Sequence, residues 1–248
     1  MNEKEVKRLS SLHVKKYREK YQQFLIEGSR LTYEALLADA DVVTLFSVSG
    51  VDENISQATS ARNIPIETIQ EKQLRQISDT VSPSGIIGVC AIPENDLSSI
   101  PKTDNCIFLD SISDPGNLGT IARTAAWFGV HHIVLSEKCA DPYNPKAVRG
   151  GMGAHFYCNF YMQTPSSWLA QSGKEMLVAD ANTDANGNIG SFPNPWILVM
   201  GSEAEGISEE IHAISHTKVS IPKLGKGESL NVAVAAGIIL SSITDGKM

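Results

Sequence analysis

The chain has 248 residues, of which 42% are hydrophobic and 20% charged. These proportions suit one large or two modest globular domains and exclude bulk disorder. No run approaches the roughly 18 uncharged apolar residues of a membrane span, and the charged N-terminus lacks a secretory apolar segment, so no membrane partner and a cytoplasmic protein are expected.

The net charge of −7 is spread unevenly. Residues 1–20 hold seven Lys/Arg against three acids, residues 21–100 four against eleven, and residues 101–248 ten against fourteen. Basic charge therefore concentrates in Lys4, Lys7, Arg8, Lys15, Lys16, Arg18 and Lys20, within a charged helix expected over 3–21. Such a cluster can meet phosphates or form a solvated helix face. Phe24 to Glu27 is a short apolar run, and Gly28 with Ser29 opens a helix through Ala38. Val42 to Ser47 and Gly85 to Ala91 read as strands, with polar turns and weaker periodicity between them. Residues 93–105, rich in Pro, Asn, Asp and Ser, make the best linker and set a boundary near 103. The expected domains are 1–102 and 103–248.

The second part alternates strand and helix. Cys106 to Asp110 is a buried strand, followed by a loop and a helix from Leu118 to Phe128 closed by Gly129. Val130 to Leu135, Met176 to Ala179 and Trp196 to Met200 are further strands, and a last helix runs from Leu230 to Ile243. This alternation implies an α/β fold with a mostly parallel sheet, whose ligands sit outside the carboxyl ends of the strands. Cys90, Cys106, Cys139 and Cys158 form no C-x-x-C pair. Buried reduced thiols are expected, with no disulfide framework and, at His131 and His132, no metal site.

Polar, glycine-containing loops fall at three strand ends. The first runs from Asp110 to Gly119, with a Pro115-Gly116 turn and Asn117 as helix cap; it places Arg123 on the following helix among Ala122, Ala125 and Ala126. The second is Gly201-Ser202-Glu203-Ala204-Glu205-Gly206, where glycine permits close backbone approach or a turn. The third runs from Lys223 through Gly225, Gly227, Ser229 and Leu230 to Asn231, and Ser229 or Asn231 can cap the final helix. No G-x-G-x-x-G after a strand, no P-loop and no G-x-S-x-G elbow is present, which argues against a dinucleotide enzyme, a P-loop NTPase or a hydrolase.

Together the three loops, over about residues 106–243, resemble the motifs of the SpoU-type RNA ribose 2′-O-methyltransferases of the SPOUT superfamily. Lys16-Tyr17-Arg18, Phe24 to Gly28 and Ser82 to Gly85 are similar to the substrate-binding domain that often precedes it. The resemblance implies a small α/β RNA-binding domain before a catalytic domain with a C-terminal trefoil knot. It also implies S-adenosylmethionine as cofactor and a homodimer in which each active site is completed by the other subunit. Carried over, Leu198, Met200, Gly201, Ile221 and Leu230 line the cofactor pocket. Asn117, Arg123, Glu203, Ser229 and Asn231 form the catalytic group, and Lys15, Lys16 and Arg18 meet RNA. The implied substrate is structured RNA, ribosomal RNA ahead of transfer RNA, with a non-catalytic ribosome-assembly factor as the competing reading. Gly151 stands where the family usually has Ser, Lys223 where Met is common, and Ala204 where Gly is frequent.

Methyl transfer from a sulfonium requires alignment of the 2′-oxygen with the methyl carbon and loss of the hydroxyl proton; no metal is needed. Arg123 is the expected stabiliser of the developing alkoxide. A guanidinium with a pKa above about 12 is a poor base, so electrostatic positioning is its favoured role.

Overall fold

The computed structural model describes residues 1–180, 192, 194–202, 205–214 and 216–244. Packing divides the chain into two units, one of 1–94 with 141–156 and one of 95–140 with 157–248.

In the first unit the basic segment forms two helices, α1 (Glu3–Ser11) and α2 (Lys15–Tyr21), rather than one helix over 3–21. Val6, Leu9 and Leu12 turn inward, and the break after Leu12 lets its carbonyl accept from Arg18 Nη1 at 2.7 Å. Then follow β1 (Gln23–Glu27), α3 (Ser29–Leu37), β2 (Val42–Ser47), α4 (Glu53–Ala61), β3 (Ile66–Thr68), α5 (Glu71–Ile77) and β4 (Ile86–Ala91). The sheet order is β1-β4-β2-β3, with β4 antiparallel to both neighbours. Gly88 sits where these strands crowd: a Cβ there would come within 2.8 Å of Ile26 and 2.9 Å of Leu45. The stretch between β2 and β4, read as polar turns and weaker periodicity, contains α4, β3 and α5. Their signals are local caps: Asp52 accepts from Ile55 N at 3.0 Å, and Gln70 with Gln73 forms a capping box.

The second unit begins at Asn95, ahead of the boundary expected near 103, because Ile100 and Leu97 pack into its core and Asn95 donates to Phe160 O. Its elements are β5 (Cys106–Asp110), α6 (Pro115–Trp127) and β6 (His132–Leu135); after the excursion described below come β7 (Asn159–Tyr161), α8 (Ser167–Gln171), β8 (Glu175–Ala179), β9 (Trp196–Gly201), α9 (Glu209–His212), β10 (Thr217–Val219) and α10 (Val232–Thr244). The excursion is 141–156, carrying α7 (Pro145–Gly151), and it packs within the first unit. There Tyr143 meets Phe24 with ring centroids 4.9 Å apart, and Asp141 receives the Arg18 guanidinium.

The strand order of the second unit is β10-β8-β9-β5-β6-β7, and every pairing is parallel. The central strands β5 and β9 are buried almost throughout, as a parallel sheet covered on both faces requires. Since all strands run the same way, their carboxyl ends share one edge, and the loops after β5, β6, β9 and β10 gather there. Helices α6 and α10 pack together; a Cβ on Gly237 would lie 3.7 Å from Thr124.

Candidate functional site

The first loop is built around Asp110 at the end of β5. This buried carboxylate accepts from Ser208 N at 2.9 Å and from the Ser111 hydroxyl at 3.2 Å, tying the loop after β5 to the one after β9. Ser111 takes the left-handed conformation with φ +59° and donates its amide to Ser136 Oγ at 2.9 Å. Ala140 N bonds Ile112 O at 2.8 Å, so the segment after β6 braces the same loop. Burial raises the Cys139 thiol above its ordinary pKa, and it donates to Leu109 O at 3.1 Å.

Helix α6 starts earlier than expected. Asp114 is its cap, Pro115 is its first residue, and Asp114 Oδ1 accepts from Asn117 N at 2.9 Å. Asn117 is therefore not the cap. Relieved of that role, its side-chain oxygen accepts from Asn231 Nδ2 at 3.0 Å. Asn231 in turn caps α10, its own Oδ1 receiving Ala233 N at 3.0 Å and Val234 N at 3.3 Å. The first and third loops, 114 residues apart, thus meet through one amide pair.

Arg123 is exposed on α6 and makes no hydrogen bond or ion pair among the described residues. At about 100° per residue it lies about 120° around the helix from Asn117, on the stripe of Thr120 and Trp127. Trp127 is 85% exposed, and Val234 and Ile238 are exposed on α10. Within one chain, then, the fold does not turn Arg123 toward the Asn117–Asn231 pair.

In the second loop, Gly201 pairs with Asp110, and Ser202 and Gly206 exchange both backbone hydrogen bonds, at 3.0 and 2.9 Å. A Cβ on Gly201 would overlap the Gly206 carbonyl and reach within 2.6 Å of Ile207 N, which is why only glycine fits. Glu203 and Ala204 lie outside the described residues. Leu198 and Met200 are core side chains, leaving only their backbone for a ligand. In the third loop Ile221 is half-buried, Ser229 is exposed, Leu230 is 48% exposed and Leu224 97% exposed. Half-exposed apolar side chains beside open backbone at one sheet edge suit a flat, partly apolar ligand such as a nucleoside cofactor.

A cavity of about 300 Å³ opens at this edge, lined by Ser111, Ile112, Ser113, Asp114, Asn117, Lys138, Ser202, Glu205 and Val232. Sequence reasoning missed Lys138, because the loop after β6 carries no motif; only the sheet order brings it beside β5.

In the first unit Lys15 and Lys16 are exposed, Lys15 lying 3.7 Å from Glu19. Arg18 departs from the expectation that it meets RNA. It is 2% exposed, with Nε at 2.9 Å and Nη2 at 2.5 Å from Asp141 Oδ2. Its donors are engaged in the core, so it is a structural residue.

Residues 104–241 match the SpoU rRNA methylase family, and residues 3–88 match the MRM3-like substrate-binding domain. The 23S rRNA (guanosine(2553)-2′-O)-methyltransferase of Bacillus subtilis is 31% identical over 238 residues, spanning 95% of this chain and 94% of that one. Human mitochondrial rRNA methyltransferase 3 is 28% identical over 286 residues, spanning 90% of this chain and 68% of that one. The crystal structure of an AdoMet-bound rRNA methyltransferase from Sinorhizobium meliloti superposes with a TM-score of 0.87 at 28% identity, covering 99% of this chain and 96% of that one. Three motif loops converging on the carboxyl edge of a parallel sheet agree with these matches, and the chain belongs to the SpoU rRNA methylase family.

Proposed function

We propose that the protein methylates a ribose 2′-hydroxyl of structured ribosomal RNA, using S-adenosylmethionine. The observation that carries this reading is the Asn117–Asn231 amide pair, which joins two of the motif loops beside Gly201 at the sheet edge. S-adenosylmethionine supplies a methyl group already activated by the sulfonium charge. Gly201, Ile221 and Leu230, with backbone from Leu198 to Met200, would hold it. Asn117 and Asn231 orient the ribose, Ser229 and Glu203 complete the polar group, and Arg123 stabilises the developing alkoxide.

Arg123 acts on the partner's site in a homodimer. Its displacement from Asn117, the exposed Trp127 on its stripe and the exposed apolar Val234 and Ile238 of α10 support this arrangement. Residues 1–94, completed by 141–156, form the RNA-binding domain, and Lys4, Lys7, Lys15, Lys16 and Lys20 supply its exposed positive charge. Residues 95–140 and 157–248 form the catalytic domain; family membership supports a trefoil knot at its C-terminal end. No helix among the described residues is long and apolar enough to cross a membrane; the cytoplasm, where ribosomes assemble, is the proposed location.

The test is methyl transfer from labelled S-adenosylmethionine to unmodified ribosomal and transfer RNA, followed by nucleoside analysis. A 2′-O-methylated nucleoside from ribosomal RNA is expected. Product from transfer RNA alone would reassign the substrate, and no incorporation in either pool would favour a non-catalytic assembly factor.

A further inference from the structure

The cavity at the carboxyl edge has a lining whose chemistry is selective. Its hydroxyls come from Ser111, Ser113 and Ser202, and its charges are the Lys138 ammonium and the Asp114 and Glu205 carboxylates. Two carboxylates against one ammonium make it a poor site for a phosphate or any other anion. A neutral, flat group with both donors and acceptors suits it better. At about 300 Å³ it stands at the small end of ligand pockets.

Topology fixes how the charges are disposed. Strand β5 lies between β9 and β6, so Glu205, after β9, and Lys138, after β6, come from loops on opposite flanks of the β5 end. Neither side chain has a hydrogen bond or ion pair among the described residues. Asn117, of the proposed catalytic group, lines the same cavity. A nucleotide whose ribose lay at Asn117 would place its base within reach of both flanks.

We propose that this cavity receives the base of the target nucleotide and that Glu205 and Lys138 read it as guanine. The inference rests on the RNA methyl-transfer reading above. Guanine carries two adjacent donors, N1–H and the 2-amino group, that a carboxylate accepts as a pair, and beside them the O6 acceptor for an ammonium. Adenine and cytosine present an amino group next to a bare ring nitrogen, which leaves the carboxylate facing a lone pair. Uracil offers one N–H between two carbonyls, one of them turned toward the carboxylate. Reading a base on its Watson–Crick edge requires an unpaired nucleotide, so the target lies in a loop or bulge.

The experiment uses the full chain, unmodified ribosomal RNA and labelled S-adenosylmethionine. Nucleoside analysis should give 2′-O-methylguanosine. In a transcript bearing the mapped site, replacing that guanosine by inosine removes only the 2-amino group and should lower kcat/KM about tenfold. With Glu205→Gln the guanosine substrate should itself lose about tenfold, and the guanosine-to-inosine ratio should fall toward one. With Lys138→Ala the same collapse should appear in the ratio of guanosine to 6-thioguanosine, in which a weakly accepting sulfur replaces O6 while N1–H and the 2-amino group remain. A merely structural role for either residue would lower all rates and leave those ratios unchanged, which would overturn the assignment. So would a 2′-O-methylated nucleoside other than guanosine, with the methyl-transfer reading intact. Absence of any methylation would instead defeat that reading, and this proposal with it.

Discussion

Arg18 shows how one residue changes meaning between a chain and a fold. In sequence it is one of seven cations within twenty residues; in the structure it is a buried partner of Asp141, 123 residues away. Removing one side of a buried ion pair strands the other charge, so Arg18→Ala should destabilise the first unit by about 3–5 kcal/mol, read by urea unfolding. Lys16→Ala, on the exposed helix, should leave stability within about 0.5 kcal/mol and instead weaken RNA binding while flattening its salt dependence. An unchanged salt slope would make the basic helix a solvated face. Gly201 is the corresponding case at the site. A methyl group there meets the backbone of Gly206 and Ile207, so Gly201→Ala should displace the second loop and weaken cofactor binding, measured by calorimetry, with little change in overall helix content.

Elements decide which side chains are available for chemistry. Because Asp114 caps α6, Asn117 is left to bond Asn231, and because Asn231 caps α10, that helix and the third loop are fixed to the first. Asn231→Ala should cost about 1 kcal/mol as a lost cap and in addition lower methyl transfer steeply. Asn231→Ser, which retains a capping oxygen, should restore the stability but not the rate. Much of this was legible in the chain: the Asp110–Gly119 loop, the glycine at 201 and the Asn before the last helix are local signals. The cap at Asp114 was legible too, since Asp before Pro is a stronger helix start than Asn three residues on. The helices and strand between β2 and β4 were harder, because they are short, polar on one side and held by packing rather than periodicity.

At the scale of the molecule, the excursion 141–156 and the α6–α10 face carry the consequences. His155 in the excursion is buried, and burial lowers its pKa to about 4. Between about pH 6.5 and 4 the unfolded chain binds a proton that the folded one refuses, so stability falls as pH drops through that window. The loss by pH 5 should be about 2 kcal/mol relative to pH 7, and His155→Leu should flatten that dependence in urea titrations. On the α6–α10 face, Trp127→Glu or Ile238→Asp should convert the proposed dimer to monomer by sedimentation. Methyl transfer should fall with it while cofactor binding persists; activity of a monomeric variant would place Arg123 in its own chain's site. By itself the sequence determined the α/β class, the central strands and the loops at their ends, because these follow from hydrophobic runs and from glycine and capping residues close together in the chain. Only the tertiary structure decided that Arg18 is buried, that 141–156 belongs with the first unit, that Asn117 meets Asn231 and that Lys138 and Glu205 line one cavity. Each of these depends on sheet order and on partners tens of residues apart, and no local pattern encodes them.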